Sequence, residues 1–288
     1  MTTLVVGATG LVGSAVAGRL LAMGTAVRGM TRFASKIADL PRGVEGRVGD
    51  LDKPTTLGMA FDGARALFLV TPLNQHETEL GLAAVAAARA AKLEKIVYLS
   101  VPMPAGADVI PHFRSKRPVE EAIITSGIAY TILRPNNFFQ NDSLWCRAAV
   151  MSFGVYPQPI GSVGLNRVDV RDVADAAVNA LSDSAFDGRE YGLHGPDVLT
   201  GDGVAETFSR HLGRNISYGG DDLDAWAKQA QHMMPEWMVQ DLRVMYDYFQ
   251  RHGLIACEEE LVRQQDILKR APTRFDEFVT EIVALWRE

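Results

Sequence analysis

Basic stretches are missing from this sequence. No lysine or arginine run and no basic stripe occurs along its 288 residues, and 35 acidic against 29 basic side chains leave a net charge of −6. Binding of nucleic acid through phosphate neutralisation is therefore disfavoured. Cysteine is nearly absent: Cys146 and Cys257 stand far apart, which excludes a disulfide framework and a thiolate zinc site and fits a reducing compartment. No His/Asp/Glu cluster has metal-ligand spacing, so no metal is expected. There is no Gly-x-Ser-x-Gly elbow of the serine-hydrolase type. The longest apolar run, Leu80 to Ala91, is broken by Arg89 and is too short to span a bilayer. No basic n-region precedes the first apolar residues, so no signal peptide is expected. Internal repeats and low-complexity segments are absent as well. These absences predict a cytoplasmic protein with a small-molecule partner, no nucleic acid and no membrane, working as a monomer or homodimer.

What is present begins at once. Leu4-Val5-Val6 is a short apolar run, Gly7-Ala8-Thr9-Gly10-Leu11-Val12-Gly13 follows it, and apolar residues then recur at helical spacing through Leu20 and Leu21. The pattern predicts a buried strand, a glycine-rich turn and a helix packed back on the strand. Gly7 lets the strand turn sharply, Gly10 lets a pyrophosphate approach the backbone, and Gly13 brings the helix close to the sheet. The helix N-terminus supplies free N–H groups and partial positive charge for an anion.

Strand candidates are Thr3–Val6, Ala26–Thr31, Val44–Val48, Ala66–Val70, Lys95–Ser100 and Ala129–Leu133. Helical stretches lie between them at Gly10–Met23, Ser35–Leu40, Thr55–Phe61, His76–Ala91 and Ser115–Ser126. This alternation, with near-continuous apolar strands, predicts an α/β fold: a Rossmann-type doubly wound parallel sheet. A nicotinamide-nucleotide-binding domain is expected over residues 1–150, with return segments at about 166–195. A smaller, mainly helical substrate lobe is expected over 196–288, with contributions from 136–165 and helices at Gly203–Leu212, Asp222–Met233 and roughly Glu236–Gln250.

In such a sheet the ligand lies at the carboxyl ends of the strands. The second strand ends Gly29-Met30-Thr31-Arg32, with no Asp or Glu to hold adenosine ribose hydroxyls. Arg32 and Lys36 stand there instead, and two cations suit the 2′-phosphate of NADP. NADP(H) is accordingly expected in preference to NAD(H). Asp50, before Leu51, either accepts from the adenine amino group or caps the following turn. Val70, Thr71 and Pro72 form a strand end where backbone passes the cofactor ribose. Ser100 ends the fifth strand, Met103 lies in the loop beyond, and His112 and Lys116, four apart on one expected helical face, complete a candidate reaction centre.

The glycine turn, Arg32, Ser100, Lys116 and Arg134-Pro135-Asn136 together resemble the NmrA-like group of atypical short-chain dehydrogenases/reductases, which includes quinone reductases, triphenylmethane-dye reductases and redox sensors. The segments Val168–Ala174, Tyr191–Thr200 and Ala271–Phe278 resemble further parts of that group, so the likeness covers most of the chain. The wider family uses Ser…Tyr-x-x-x-Lys, and here His112 takes the tyrosine place. The resemblance implies that Lys116 holds the nicotinamide ribose, that Ser100 donates a hydrogen bond, and that His112 is either the proton donor or a solvent-facing helix-start residue. It also implies that the loop after the sixth strand passes the nicotinamide at Asn136 and Phe138 and begins the substrate wall at Asn137.

Further wall candidates are Met103, His112, Phe153, Tyr156, Met233 and Trp237, the last two from a stretch rich in methionine and aromatics that either lines an apolar pocket or packs helices together. The expected function is NADPH-dependent hydride transfer to an apolar, quinone-like or conjugated carbonyl acceptor. The rival expectation is a non-catalytic NADP(H)-sensing regulator that binds a protein partner, and an isomerase using the cofactor internally ranks last.

Overall fold

Seven strands pair in parallel throughout in the order β3-β2-β1-β4-β5-β6-β8. The computed structural model describes residues 2–288. In chain order the first part runs β1 (Thr2–Val6), α1 (Leu11–Ala22), β2 (Ala26–Thr31), β3 (Glu45–Val48), α2 (Leu57–Phe61), β4 (Ala66–Leu69), α3 (Glu77–Ala90) and β5 (Lys95–Leu99). It continues through α4 (Pro111–Arg114), α5 (Arg117–Ile124), β6 (Ala129–Pro135), α6 (Gln140–Trp145), β7 (Val155–Tyr156), α7 (Val170–Ser182) and β8 (Arg189–Leu193). The remainder is α8 (Gly201–Leu212), β9 (Ser217–Tyr218), α9 (Leu223–Ala230), α10 (Glu236–His252), α11 (Glu258–Leu268) and α12 (Phe275–Arg287).

Strand periodicity sorts the core. Leu4, Val6, Leu67, Leu69, Ile96 and Tyr98 face α2, α3 and α5, whereas Val5, Phe68, Val97, Leu99 and Leu133 face α1 and α7. Both faces are covered, which is why the strands read as apolar runs rather than as alternation. The strand order reverses between β1 and β4, and that switch point opens the crevice.

A second core fills the helical lobe. Phe139, Tyr156, Phe208, Phe249, Phe275, Phe278 and Trp286 pack together there, with Phe208 and Trp286 stacked at 5.4 Å. Between the two cores lies a fully buried ion pair, Arg167 with Asp142 at 2.9 Å. The C-terminal segment ties back to the sheet domain: Thr273 donates to Asp172 from its backbone and its hydroxyl, both at 2.8 Å, and Arg270 pairs with Asp172 and Asp175. α11 returns to the main domain, where Ile267 and Leu268 join the first core. Among the described residues no helix is long and apolar enough to cross a membrane.

Two local expectations are corrected. The segment after Phe33 is an exposed 3-10 turn, Ala34–Asp39, not an α-helix. The helix expected over Ser115–Ser126 starts two residues later, as α5 at Arg117, and is separate from α4, which stops at Arg114. Pro118 is responsible, since it lacks an N–H and its ring clashes with the carbonyl four residues earlier, so it is tolerated only in a first turn. His112 and Lys116 therefore do not share a continuous helical face. A short parallel pair, β7 with β9, was also not foreseen.

Candidate active site

The crevice is built from the glycine turn outward. Gly7 has φ +78°, a left-handed conformation that glycine adopts freely, and a Cβ there would lie 2.5 Å from Val70 Cγ1. A Cβ on Gly13 would lie 2.1 Å from the Gly7 carbonyl oxygen, so only glycine lets α1 start this close to β1. Gly10 caps α1 without a side-chain hydrogen bond, and the first turn carries no acidic residue. The leading N–H groups of α1 are thus left for an anion.

A cavity of about 600 Å³ opens above this turn. Gly7, Thr9, Gly10, Leu11, Val12, Gly13, Arg32, Lys36, Asp50, Leu51, Val70, Thr71 and Pro72 all line it, together with Phe33, Asp39 and Asn74, which sequence reasoning did not single out. Arg32 is exposed, stacks over Phe33 at 5.7 Å, and has no carboxylate partner among the described residues. Lys36 pairs with Asp39 at 2.8 Å, which raises its pKa, whereas Arg32 pairs with no carboxylate among the described residues. Asp50 serves the turn, accepting from the Asp52 N–H at 3.2 Å, and also faces the cavity.

Lys116 stands at the inner end of the crevice although it does not line the cavity. It is 7 % exposed, donates to Thr71 Oγ1 at 2.9 Å and pairs with Glu77 Oε1 at 2.5 Å. Glu77 is 1 % exposed and also accepts from Thr71 Oγ1 at 2.6 Å and Ser115 Oγ at 2.9 Å. The Tyr98 ring lies 5.7 Å from the Lys116 ammonium. Glu77 escaped sequence reasoning because an acid in the first turn of α3 reads as an ordinary helix start.

His112 is not solvent-facing. Its Nδ1 is bonded to the Asp241 carboxylate on α10, which fastens α4 to the lobe. With Nδ1 occupied, the free ring position is Nε2. Asp241 sits mid-helix, and nothing in its local pattern marks it.

Ser100 is buried, its hydroxyl has no partner among the described residues, and it lines neither the large cavity nor a smaller one that Met103 lines. Asn136 is buried and donates to the Leu254 carbonyl at 2.8 Å. Asn137 accepts from Arg167 at 3.0 Å, and the Phe138 carbonyl accepts from Arg167 at 2.8 Å. Tyr156 is a core residue bonded to Asp142, and burial raises its pKa well above the usual tyrosine range. Phe153 and Met233 are 78 % and 63 % exposed, and Trp237 is half-buried, so these three are not gathered with the crevice residues.

The chain is 32 % identical over 247 residues to an NAD(P)H azoreductase of Xenophilus azovorans, covering 84 % of this chain and 85 % of that one. It is 36 % identical over 223 residues to a (4-alkanoyl-5-oxo-2,5-dihydrofuran-3-yl)methyl phosphate reductase of Streptomyces griseus, covering 77 % and 78 %. An NADPH-dependent quinone oxidoreductase of Escherichia coli, solved with NADPH, superposes with a TM-score of 0.85 at 22 % identity over 98 % of this chain and 100 % of that one. The description of the NmrA-like family matches residues 1–279, and the chain belongs to that family.

Proposed function

We propose that the protein is an NADPH-dependent reductase of apolar, conjugated acceptors of the quinone or dye class, working in the cytoplasm. The observation that carries this reading is the crevice at the β1/β4 switch: a glycine cradle with a bare helix N-terminus at one end, an uncompensated arginine at the β2 end, and a buried lysine at the other. The relatives' names support the acceptor class, since two of them are reductases of azo and conjugated lactone compounds. The exposed, unpaired Cys257 supports a reducing compartment.

The residues divide the work. The free N–H groups at the start of α1 would hold the diphosphate, which the glycine turn lets approach the backbone. Arg32 would hold the 2′-phosphate. Lys116, fixed by Glu77 and Thr71, holds the nicotinamide ribose and adds positive potential near the reacting atoms. Bound there, the reduced nicotinamide supplies hydride. A quinone or other conjugated acceptor spreads the resulting negative charge over its ring, which lessens the need for a strong acid such as the family tyrosine. His112 completes the reduction by delivering a proton from Nε2, while Asp241 holds the opposite ring nitrogen.

The test is loss of reduced-nicotinamide absorbance with NADPH and with NADH against quinones, azo dyes and enones. Turnover preferring NADPH is expected, and Arg32→Ala should weaken NADPH at least about tenfold, equivalent to about 1.4 kcal/mol, with little effect on NADH. Equal weakening of both removes the phosphate role. Tight NADPH binding without turnover of any acceptor overturns the reductase.

A further inference from the structure

The exposed 3-10 turn Ala34–Asp39 borders the β2 end of the crevice. Its apolar side is anchored on the sheet. A Cβ on Gly46 of β3 would lie 2.6 Å from Ile37 Cγ2, and one on Gly29 of β2 would lie 2.7 Å from Leu40 Cδ2, so both side chains rest on bare backbone. The Phe33 carbonyl accepts from the Lys36 N–H at 2.9 Å and from Thr31 Oγ1 at 3.0 Å. The turn is thus tied to the strand ends, and Lys36 and Asp39 line the cavity from it.

A 3-10 helix has three residues per turn, so side chains three apart eclipse one another. Lys36 and Asp39 are three apart, and the Lys36 ammonium donates to Asp39 Oδ2 at 2.8 Å. The α-helix suggested by the sequence would offset them by about 60° around its axis. Asp50 and Asp52 line the same cavity, and neither pairs with Lys36 or Arg32 among the described residues.

The pair matters to a dianion at this corner. A 2′-phosphate carries up to about two negative charges and draws on both cations only if Lys36 leaves Asp39. Arg32, stacked over Phe33 at 5.7 Å, meets no such competition, whereas Lys36 does. The paired side chains are 60 % and 50 % exposed, and ion pairs in water are weak, so Lys36 can exchange partners. Each exchange sets Asp39 against the phosphate for one ammonium and leaves a bare carboxylate beside the dianion. A cofactor with a 2′-hydroxyl provokes neither conflict.

We propose that Asp39 is a specificity-determining residue: by holding Lys36 it withholds the second cation from the 2′-phosphate and moderates the NADPH-over-NADH preference that Arg32 creates. Resting on the NADPH reading of the crevice, this role leaves NADH an admissible second cofactor.

The test is calorimetric binding of NADP⁺ and of NAD⁺, which differ only in the 2′-phosphate, to the whole protein at low ionic strength. Asp39→Asn keeps the size and removes the charge. It should tighten NADP⁺ about fivefold and leave NAD⁺ within about twofold, and the gain should fade as salt is added. In a Lys36→Met background the same substitution should change NADP⁺ binding by less than about twofold, because the effect runs through the ammonium. An NADP⁺/NAD⁺ affinity ratio unchanged by Asp39→Asn, or a gain of about fivefold that persists without Lys36, overturns the proposal and leaves the NADPH reading standing. Weaker NAD⁺ binding in Asp39→Asn also overturns it, because Asp39 would then accept from the ribose hydroxyl. If wild type and Asp39→Asn both bind NADP⁺ no more tightly than NAD⁺, the NADPH reading falls with it. Asp39 is exposed at the end of its turn, so Asp39→Ala serves as a second variant with the same expected outcome.

Discussion

A carboxylate that is 1 % exposed persists only where its charge is matched, and Glu77 meets that demand with two hydroxyls and one ammonium. In the proposed reaction its role is exerted through Lys116, whose ammonium it holds at the inner end of the crevice. Glu77→Gln keeps the shape and removes the charge, leaving a nearly buried ammonium unbalanced. NADPH affinity should fall about tenfold or more by fluorescence titration, and Glu77→Asp should recover part of it. Unaltered NADPH affinity in Glu77→Gln would show that Lys116 does not depend on this partner. His194 carries a separate prediction. Burial lowers its pKa below 6.5, so the unfolded chain takes up a proton before the folded protein does. Stability from this residue is complete above pH 6.5 and is lost as pH falls below it toward the folded-state value. Urea denaturation between pH about 7 and about 5 should show a shallower decline in His194→Gln than in wild type. Identical slopes would mean that His194 does not titrate in this window.

At the scale of elements, β1, the glycine turn and α1 were legible from the sequence because each glycine there answers a local steric demand. Gly13→Ala tests this. The new Cβ would lie 2.1 Å from the Gly7 carbonyl oxygen, so α1 must move away from β1. The expected cost is about 1–3 kcal/mol of stability with near-complete loss of NADPH binding, whereas Gly18→Ala, where a Cβ meets nothing within 4 Å, should be neutral or mildly stabilising. Equal effects would remove the packing argument. The strands were readable for a related reason: burial on both faces leaves apolar runs at Leu4–Val6, Ala66–Leu69 and Ile96–Leu99. The break between α4 and α5 was signalled by Pro118 but hidden by the helical spacing of His112 and Lys116. Their partners were not legible at all. Glu77 and Asp241 lie on other helices, 39 residues before Lys116 and 129 residues after His112, and no local pattern encodes such pairing. Tyr156 shows the converse difficulty: a tyrosine among prolines looks like a pocket wall, yet its hydroxyl is consumed by Asp142 and Arg167.

The whole molecule depends on how the lobe is held to the sheet domain, and Arg167 is the central tie. Its guanidinium bonds Asp142 through two nitrogens at 2.9 Å, the Tyr156 hydroxyl at 3.2 Å, the Phe138 carbonyl at 2.8 Å and Asn137 Oδ1 at 3.0 Å. One buried cation thus fixes the loop leaving β6 and the segment that enters the lobe core, while the Phe275 ring of α12 lies 5.7 Å away. Desolvation raises the Asp142 pKa and Arg167 opposes the rise, so the carboxylate depends on its partner to remain charged. Asp142→Ala leaves Arg167 buried without a counter-charge and should cost about 3–5 kcal/mol, whereas Asp142→Leu with Arg167→Met removes both charges and should recover a large part of that loss. Urea denaturation of the three proteins measures it. If recovery occurs, activity separates two roles for the pair. A stable double variant that still reduces quinone at the wild-type rate would show that the tie serves folding alone. A stable but slow one would show that Arg167, through Phe138 and Asn137, also sets the loop at the proposed nicotinamide position. The second outcome is expected, because apolar replacements restore packing but cannot replace the donors that hold the Phe138 carbonyl and Asn137 Oδ1.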